Sequence, residues 1–353
     1  MSSLADFSIE QIVEMSLWQR LSLYPWRVEI FSLGFMALYF VLYKLGSAKN
    51  KSLADKFIES IVPTLKDNFY QVGVTNNKLF AQDDAQNYSL YASGRLRLEY
   101  FLAKVELQAR QNLFFWLMEY LMAFFVESVP TPADTISIEI KYDEETSEKF
   151  DNFIWAIVTK DNMNSYRKDS YFLSLTKTSE SDKLPVEFVF MNEAAEISDV
   201  LVTKKFSDLI AQNKDTLKYF AITDQGIDKP VKMAELKPSK KILMQFTPST
   251  DATKVEAINN FVSYVVNDFA DMIVQRGSFR PELTRKIKKT RENEYNKLKK
   301  LLDDFKREEL AQVKAEEQKK KQQSLTPKEQ QKLKQKQQDK KQRKMMNRQK
   351  VRG

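Results

Sequence analysis

Apolar positions change rhythm several times along this chain, and each rhythm predicts a different kind of element. Ile30 to Tyr43, IFSLGFMALYFVLY, runs fourteen residues without a charge. A membrane span needs about 17–25 residues, and Val28, Leu45 and Gly46 extend the run toward that length. Arg27 and Glu29 stand within one turn of its start, from where they can reach an interface. Trp26, Tyr39 and Tyr43 suit aromatic belts at the two membrane surfaces. A buried core helix is the alternative reading of so short a run. Upstream, Ser8 to Trp26 carries Ile9, Ile12, Val13, Leu17, Leu21 and Leu23 at the spacing of an amphipathic helix lying along an interface. Downstream, Leu53, Phe57, Ile58, Ile61, Val62 and Leu65 keep helical spacing across residues 53–70, with Pro63 a candidate kink.

The pattern then becomes mixed. Gly73 to Asn87 is rich in turn formers, and Tyr88 to Leu90 reads as a short strand before the Ser93-Gly94 turn. Leu96 to Val126 is the most apolar stretch of the body and contains LFFWLMEYLMAFFV at 113–126. A second span is hard to build there, because Glu119 sits in its middle and Pro130 and Pro132 follow. The expectation is a core helix packed on a sheet. ISIEIKY, with Ile136, Ile138 and Ile140, has the period of two that marks a strand. Further strands are expected at 153–159, 186–191, 217–222 and 242–246. Helices are expected at 197–213 and 254–275. Sheet plus flanking helices gives an α+β domain over 88–277, behind a membrane helix at 28–46, a short N-terminal segment at 1–27 and a helical linker at 47–87.

Charge separates the last part of the chain from all of this. Residues 280–353 hold 26 Lys and Arg against 11 Asp and Glu, a net of +15. The whole chain is +8, so residues 1–279 carry −7. An acidic body therefore bears a cationic arm at 278–353, and such an arm needs a polyanion. Tyr295, Leu298, Leu302 and Phe305 hold a heptad for about two repeats, fewer than the three or four a coiled coil needs. This seam is expected to dock on the body rather than pair with a second copy. Thr326-Pro327-Lys328-Glu329 has the form of a capping box with proline at the first helical position, so the arm reads as two basic helices divided at 324–326. Its candidate phosphate-binding residues are Arg280, Arg285, Lys286, Lys288, Lys289, Arg291, Lys319, Lys320, Lys321, Lys328, Lys332, Lys334, Lys336, Lys340, Lys341, Arg343, Lys344 and Arg348. Tyr295 and Phe305 are its only aromatics, which argues against base stacking on single strands. Folded RNA, anionic lipid, or plain solvation of the arm all remain open from charge alone.

The chain has no cysteine and no histidine. That removes disulfide frameworks, cysteine–histidine zinc sites, thiol nucleophiles and imidazole bases. Its seven glycines form no GxG and no phosphate loop. No enzyme activity, metal or cofactor is expected. Lys44, Lys49, Lys51 and Lys56 follow the apolar run while only Arg20 and Arg27 precede it, which puts the C-terminal side in the cytosol.

Several segments in order resemble the family of coiled-coil domain-containing protein 47, a subunit of the PAT complex of the endoplasmic reticulum. They are Tyr91-Ala-Ser-Gly-Arg95 leading into an apolar helix, ISIEIKY followed by DNFIWAIVTK, KKILMQFTPST, and Ser278-Phe-Arg-Pro-Glu282 followed by RKIKKTRE. The likeness covers about 50–353, in a fungal-type form. It implies a single-span protein of the endoplasmic reticulum membrane, its N-terminus lumenal and its α+β domain cytosolic. It also implies binding to the ribosome near the tunnel exit, with the basic helices on ribosomal RNA. The implied partners are the translocon, membrane-protein chaperone subunits and the lipid bilayer, and the implied role is insertion and folding of multi-span membrane proteins. Animal members carry a cleaved signal and a long acidic lumenal segment. Residues 1–27 hold only Asp6, Glu10 and Glu14, so calcium binding is not carried over.

Overall fold

The computed structural model describes residues 15–24, 26–75, 78–126, 129 and 131–323, the side chains of Arg20, Leu23 and 311–323 excepted. Helix α1 (Leu17–Leu23) precedes the long helix α2 (Arg27–Asn68). Strands β1 (Gln71–Val72), β2 (Ala81–Gln82), β3 (Asn87–Ser93) and β4 (Leu98–Glu106) follow, then helix α3 (Leu113–Phe125) and β5 (Thr135–Tyr142). Short helices α4 (Glu144–Ser147), α5 (Met163–Asp169) and α6 (Tyr171–Ser174) interleave with β6 (Trp155–Thr159), β7 (Lys177–Ser179) and β8 (Phe188–Asn192). Next come α7 (Ala195–Leu201), α8 (Lys204–Gln212), β9 (Leu217–Thr223) and β10 (Lys241–Phe246). The last elements are α9 (Ala252–Tyr264), a π-helical turn (Val265–Phe269), α10 (Ala270–Arg276) and α11 (Pro281–Gln323). The chain is thus α+β, with a long apolar helix ahead of the sheet and a long helix at its end. It divides into two compact units, Met1–Lys229 with Lys237–Ile287, and Pro230–Leu236 with Lys288–Gly353.

Ten strands form one antiparallel sheet in the order β1-β3-β4-β5-β10-β9-β6-β8-β7, with β2 on β3. Register follows from the apolar period. Ile136, Ile138 and Ile140 stand opposite Val105, Ala103 and Phe101 of β4, and opposite Phe246, Met244 and Ile242 of β10. All nine are buried on one face, and a slip of one residue would turn each set outward. The residues between them, such as Tyr100, Glu139 and Lys141, form a polar outer face. There the Tyr100 hydroxyl donates to Glu139 Oε1 at 2.9 Å, and Lys141 pairs with Glu99 at 2.7 Å. Strands β6 and β9 are covered on both faces, which is why they read as continuous apolar runs. Trp155 and Ile157 face the main core, while Ile154, Ala156 and Val158 pack with Phe172 and Leu173 of α6 in a second, smaller one.

The main core is dense in aromatics. Phe206 of α8 stacks on Phe269 of the π turn at 4.8 Å, with Trp155, Phe220 and Phe261 around them. The π turn turns Val265, Val266 and Phe269 inward in one stretch, all fully buried. Residues 254–275 read as one regular helix and are interrupted at that point. Likewise 197–213 is two helices, because Thr203 leaves the helical path and accepts from the Phe206 N–H to cap α8. Gly94, in the turn between β3 and β4, takes φ +88°, and a Cβ there would lie 2.8 Å from Tyr70 Cβ.

Two expectations need correction. Leu98–Glu106 of the apolar stretch is a strand, not helix. And α3 is no core helix: none of its thirteen residues is buried. The reason lies in α2. Its second half lays Ala54, Phe57, Ile58, Ile61, Val62 and Leu65 on the inner face of the sheet. Asn259 Nδ2 of α9 reaches the Ser60 carbonyl beside it at 3.1 Å. The layer that α3 was expected to form is already filled. The main core also takes in Phe69, Leu283 and Ile287, beyond both ends of 88–277.

Candidate membrane and polyanion interfaces

Helix α2 is one rod with two surfaces. From Asn50 onward one face is buried, whereas the apolar segment before it is bare on every side. Val28 and Phe31 are each about three-quarters exposed. Among the described residues it is the single helix long and apolar enough to cross a membrane. At the front of this segment the Trp26 indole donates to the Leu21 carbonyl at 2.8 Å and meets Tyr24 edge-on at 5.1 Å. Near the other end Lys44 lies 5.5 Å from the Phe40 ring. Of the amphipathic stretch 8–26, residues 8–14 lie outside the described residues, and Leu17 and Leu21 are exposed.

The apolar run ends where α2 meets the segment leading into α3. A Cβ on Gly46 would lie 2.1 Å from the Arg110 carbonyl oxygen and 2.6 Å from Gln111 N, so only glycine fits there. One turn later Asn50 is fully buried. Its amide donates to the carbonyls of Ala85 and Gln108 at 3.0 and 2.9 Å, and its Oδ1 accepts from Arg110 Nη1 at 3.1 Å. The same guanidinium pairs with Asp134 at 2.8 and 2.6 Å. Asn112 then caps α3, accepting from the Phe115 N–H at 3.1 Å. The start of α3 is therefore fixed against the end of the apolar run. Sequence patterning did not show this arrangement. Gly46 directly after the run was its visible trace.

The basic arm has a built root. Asp151 Oδ2 accepts from the Phe279 N–H at 2.8 Å and from the Thr284 hydroxyl at 3.2 Å. A carboxylate there faces the positive end of α11 and satisfies a donor in its first turn. The Asp151 N–H donates to the Gly277 carbonyl at 2.9 Å, and Phe279 packs edge-on to Phe153 at 5.1 Å. Leu283 and Ile287 enter the main core. Beneath this root Lys240 is nearly buried, its ammonium over the Phe150 ring at 4.1 Å and donating to the carbonyls of Ser147 and Phe150. Burial pulls Lys240 down to about 8, against the pull of Asp224 and Asp151 toward the charged form.

Of the eighteen candidate cations, Arg280, Arg285, Lys286, Lys288 and Lys289 are exposed. At 100° per residue, Arg285, Lys288 and Lys289 fall on the far side of the helix from Leu283 and Ile287. Arg291 is half-buried. Lys319, Lys320 and Lys321 lie in the last turns of α11, described by backbone alone. Lys328, Lys332, Lys334, Lys336, Lys340, Lys341, Arg343, Lys344, Arg348 and the expected break at 324–326 lie outside the described residues. Within the seam, Leu298 is buried and Leu302 half-buried, while Tyr295 and Phe305 are exposed.

An α+β body with one candidate membrane-spanning helix and a long C-terminal helix is the class of architecture this chain presents. The chain belongs to the PAT complex subunit CCDC47 family, whose model matches residues 25–344. It is 28% identical to the UPF0674 endoplasmic reticulum membrane protein YNR021W of Saccharomyces cerevisiae, over 84% of this chain and 80% of that one. With the Schizosaccharomyces pombe endoplasmic reticulum membrane protein C2G5.01 it shares 29% identity over 56% of this chain and 54% of that one. The human PAT complex subunit CCDC47 is 22% identical over 60% of this chain and 44% of its own length. The chain thus spans most of the budding-yeast relative and about half of the others.

Proposed function

We propose that this chain is an endoplasmic reticulum membrane adaptor that binds the ribosome and assists insertion and folding of multi-span membrane proteins. In this reading the apolar part of α2 crosses the bilayer with its C-terminal end in the cytosol. The body then stands on the membrane beside the translocon and other chaperone subunits, and the arm contacts ribosomal RNA. Family membership supports the setting. The observation that carries the ribosome reading is α11 itself, 43 residues of unbroken helix or about 65 Å, cation-rich, with little beyond Leu283, Ile287 and Leu298 buried among its described side chains. A helix that buries so little is marginal in water and gains most from a long polyanionic partner.

The test compares the full chain with one ending at Thr290, which keeps Leu283 and Ile287 in the core. Ribosome co-sedimentation at physiological salt is expected from the full chain only. It is expected to fall steeply with salt, since six to ten phosphate contacts cost about 10³–10⁵ in affinity between about 50 and 200 mM. Equal pelleting of the shortened chain would remove the arm from ribosome binding. Flotation of the full chain on anionic liposomes without ribosome pelleting would favour lipid as the arm's polyanion.

A further inference from the structure

Helix α3 presents an apolar surface that nothing among the described residues covers. Leu113, Phe114, Phe115, Leu117, Met118, Leu121, Met122, Phe124 and Phe125 are all exposed, Phe124 at 83%. At 100° per residue they sweep about 200° of the helix circumference. The remaining arc, Trp116, Glu119, Tyr120 and Ala123, faces the body. The Trp116 indole and the Tyr120 hydroxyl both donate to Gln108 Oε1, at 3.0 and 3.3 Å. Glu119 lines a polar cavity with Gln86, Asn87, Glu106 and Gln108. The one charge of α3 is thus turned away from the apolar arc, and its place in the middle of the run is no obstacle to lipid.

We infer that α3 is inserted in the bilayer leaflet at which the apolar run of α2 ends. The inference rests on the reading of that run as the membrane span. Three observations select lipid over a protein groove. The start of α3 is pinned to α2 at Gly46 and Asn50, the level at which the span ends. Its apolar arc is twice the width of the roughly 100° stripe by which a helix docks on a protein face. Its thirteen residues extend about 20 Å, too short for the roughly 30 Å hydrocarbon core but suited to lying within one leaflet. Asn112 caps its N-terminus, and Gln108 holds the Trp116 and Tyr120 polar atoms on the body side, as suits an interfacial helix. The chain would then grip the membrane twice, by a span and by a helix beside it, which fixes the tilt of the body.

The chain has no cysteine, so single cysteines can be placed cleanly. The full chain carrying Phe114→Cys, Phe124→Cys, Leu38→Cys or Val186→Cys would be labelled with an environment-sensitive fluorophore in phosphatidylcholine vesicles containing doxyl-labelled lipid. Labels at Phe114 and Phe124 are expected to emit to the blue and to be quenched. Doxyl groups near the headgroups should quench more than those at chain ends, because interfacial helices lie roughly 5–10 Å deep. Val186, exposed on the body, is the unquenched reference. A Phe124 label that behaves like the Val186 label overturns the proposal. So does one that is blue-shifted yet unquenched, since a protein surface or a second copy then covers α3. Leu38 reports the span by itself. Quenching there without quenching at Phe124 removes α3 from lipid and leaves the span, and quenching at Phe124 without Leu38 does the reverse.

Discussion

Replacing Asn50 by alanine tests whether the junction of α2 with the sheet is held by one buried amide. The side chain is fully buried and makes three good hydrogen bonds. Truncation affects them unequally. The Gln108 carbonyl keeps the Arg110 N–H at 2.7 Å, and the Arg110 guanidinium keeps Asp134. The Ala85 carbonyl loses the partner it has through Asn50. One acceptor left bare costs about 1–3 kcal/mol, and the weakened contacts of the other two groups add to it, so Asn50→Ala should cost about 2–3 kcal/mol. Ser52→Ala, two residues away on the exposed side, should stay within about 0.5 kcal/mol. The assay is urea unfolding of the full chain in detergent, read from buried Trp155 after Trp18, Trp26 and Trp116 are changed to phenylalanine. If Asn50→Ala and Ser52→Ala unfold at the same urea concentration, the amide is not what holds the junction.

Two further perturbations address the arm root. Asp151→Ala removes the acceptor of the Phe279 N–H and of Thr284, so hydrogen exchange across 279–287 should quicken by the equivalent of about 1 kcal/mol while β5 and β6 stay protected. Unchanged exchange there would mean that Leu283 and Ile287 alone hold the root. Lys240, held at about 8 in the fold against an ordinary 10.5, binds its proton less tightly folded than unfolded. The penalty is full below pH 8 and fades as pH rises toward 10, so the urea midpoint of the parent chain should climb across that window. Lys240→Met should climb less, and an equal climb in both would assign the pH dependence to other groups.

What could be read from sequence depended on whether a single pattern settled the environment. β5 and β10 were legible because a strict period of two leaves one choice of face. β4 was not, since its alternation breaks at the register shift between Leu98 and Tyr100 and merges into the apolar run behind it. α2 reads as two pieces because its apolar surface narrows from all round to a stripe near Asn50, although the backbone stays helical throughout. The apolar run of α3 predicts a helix but not its surroundings: it demands apolar neighbours without saying whether they are protein or lipid. The arm's cations were plain from charge. Its root was not, because Asp151 meets Phe279 across 128 residues of chain.

Joining α2 to the core without a break has a mechanical consequence. A span followed by a flexible linker would let the body tumble above the membrane. Here the helix that leaves the apolar run is buried within two turns, and Gly46 and Asn50 lock it to the strand-end segment that launches α3. Pro63, which removes one helical hydrogen bond, lies beyond the junction where Ile61, Val62 and Leu65 are already packed, so it offers no hinge between membrane and sheet. At the other end of the core the first turns of α11 are held by Asp151, Leu283 and Ile287. Both exits from the body are thus set by buried residues, not by linkers. If the proposed adaptor reading holds, ordered exits reduce the conformational freedom lost when a large partner binds. Inserting two glycines after Asn68, at the far end of α2, should leave membrane attachment intact, whereas the same insertion after Ser47 should free the body from the apolar part of α2 and weaken partner binding, and equal binding by the two would show that the rigid joint is dispensable.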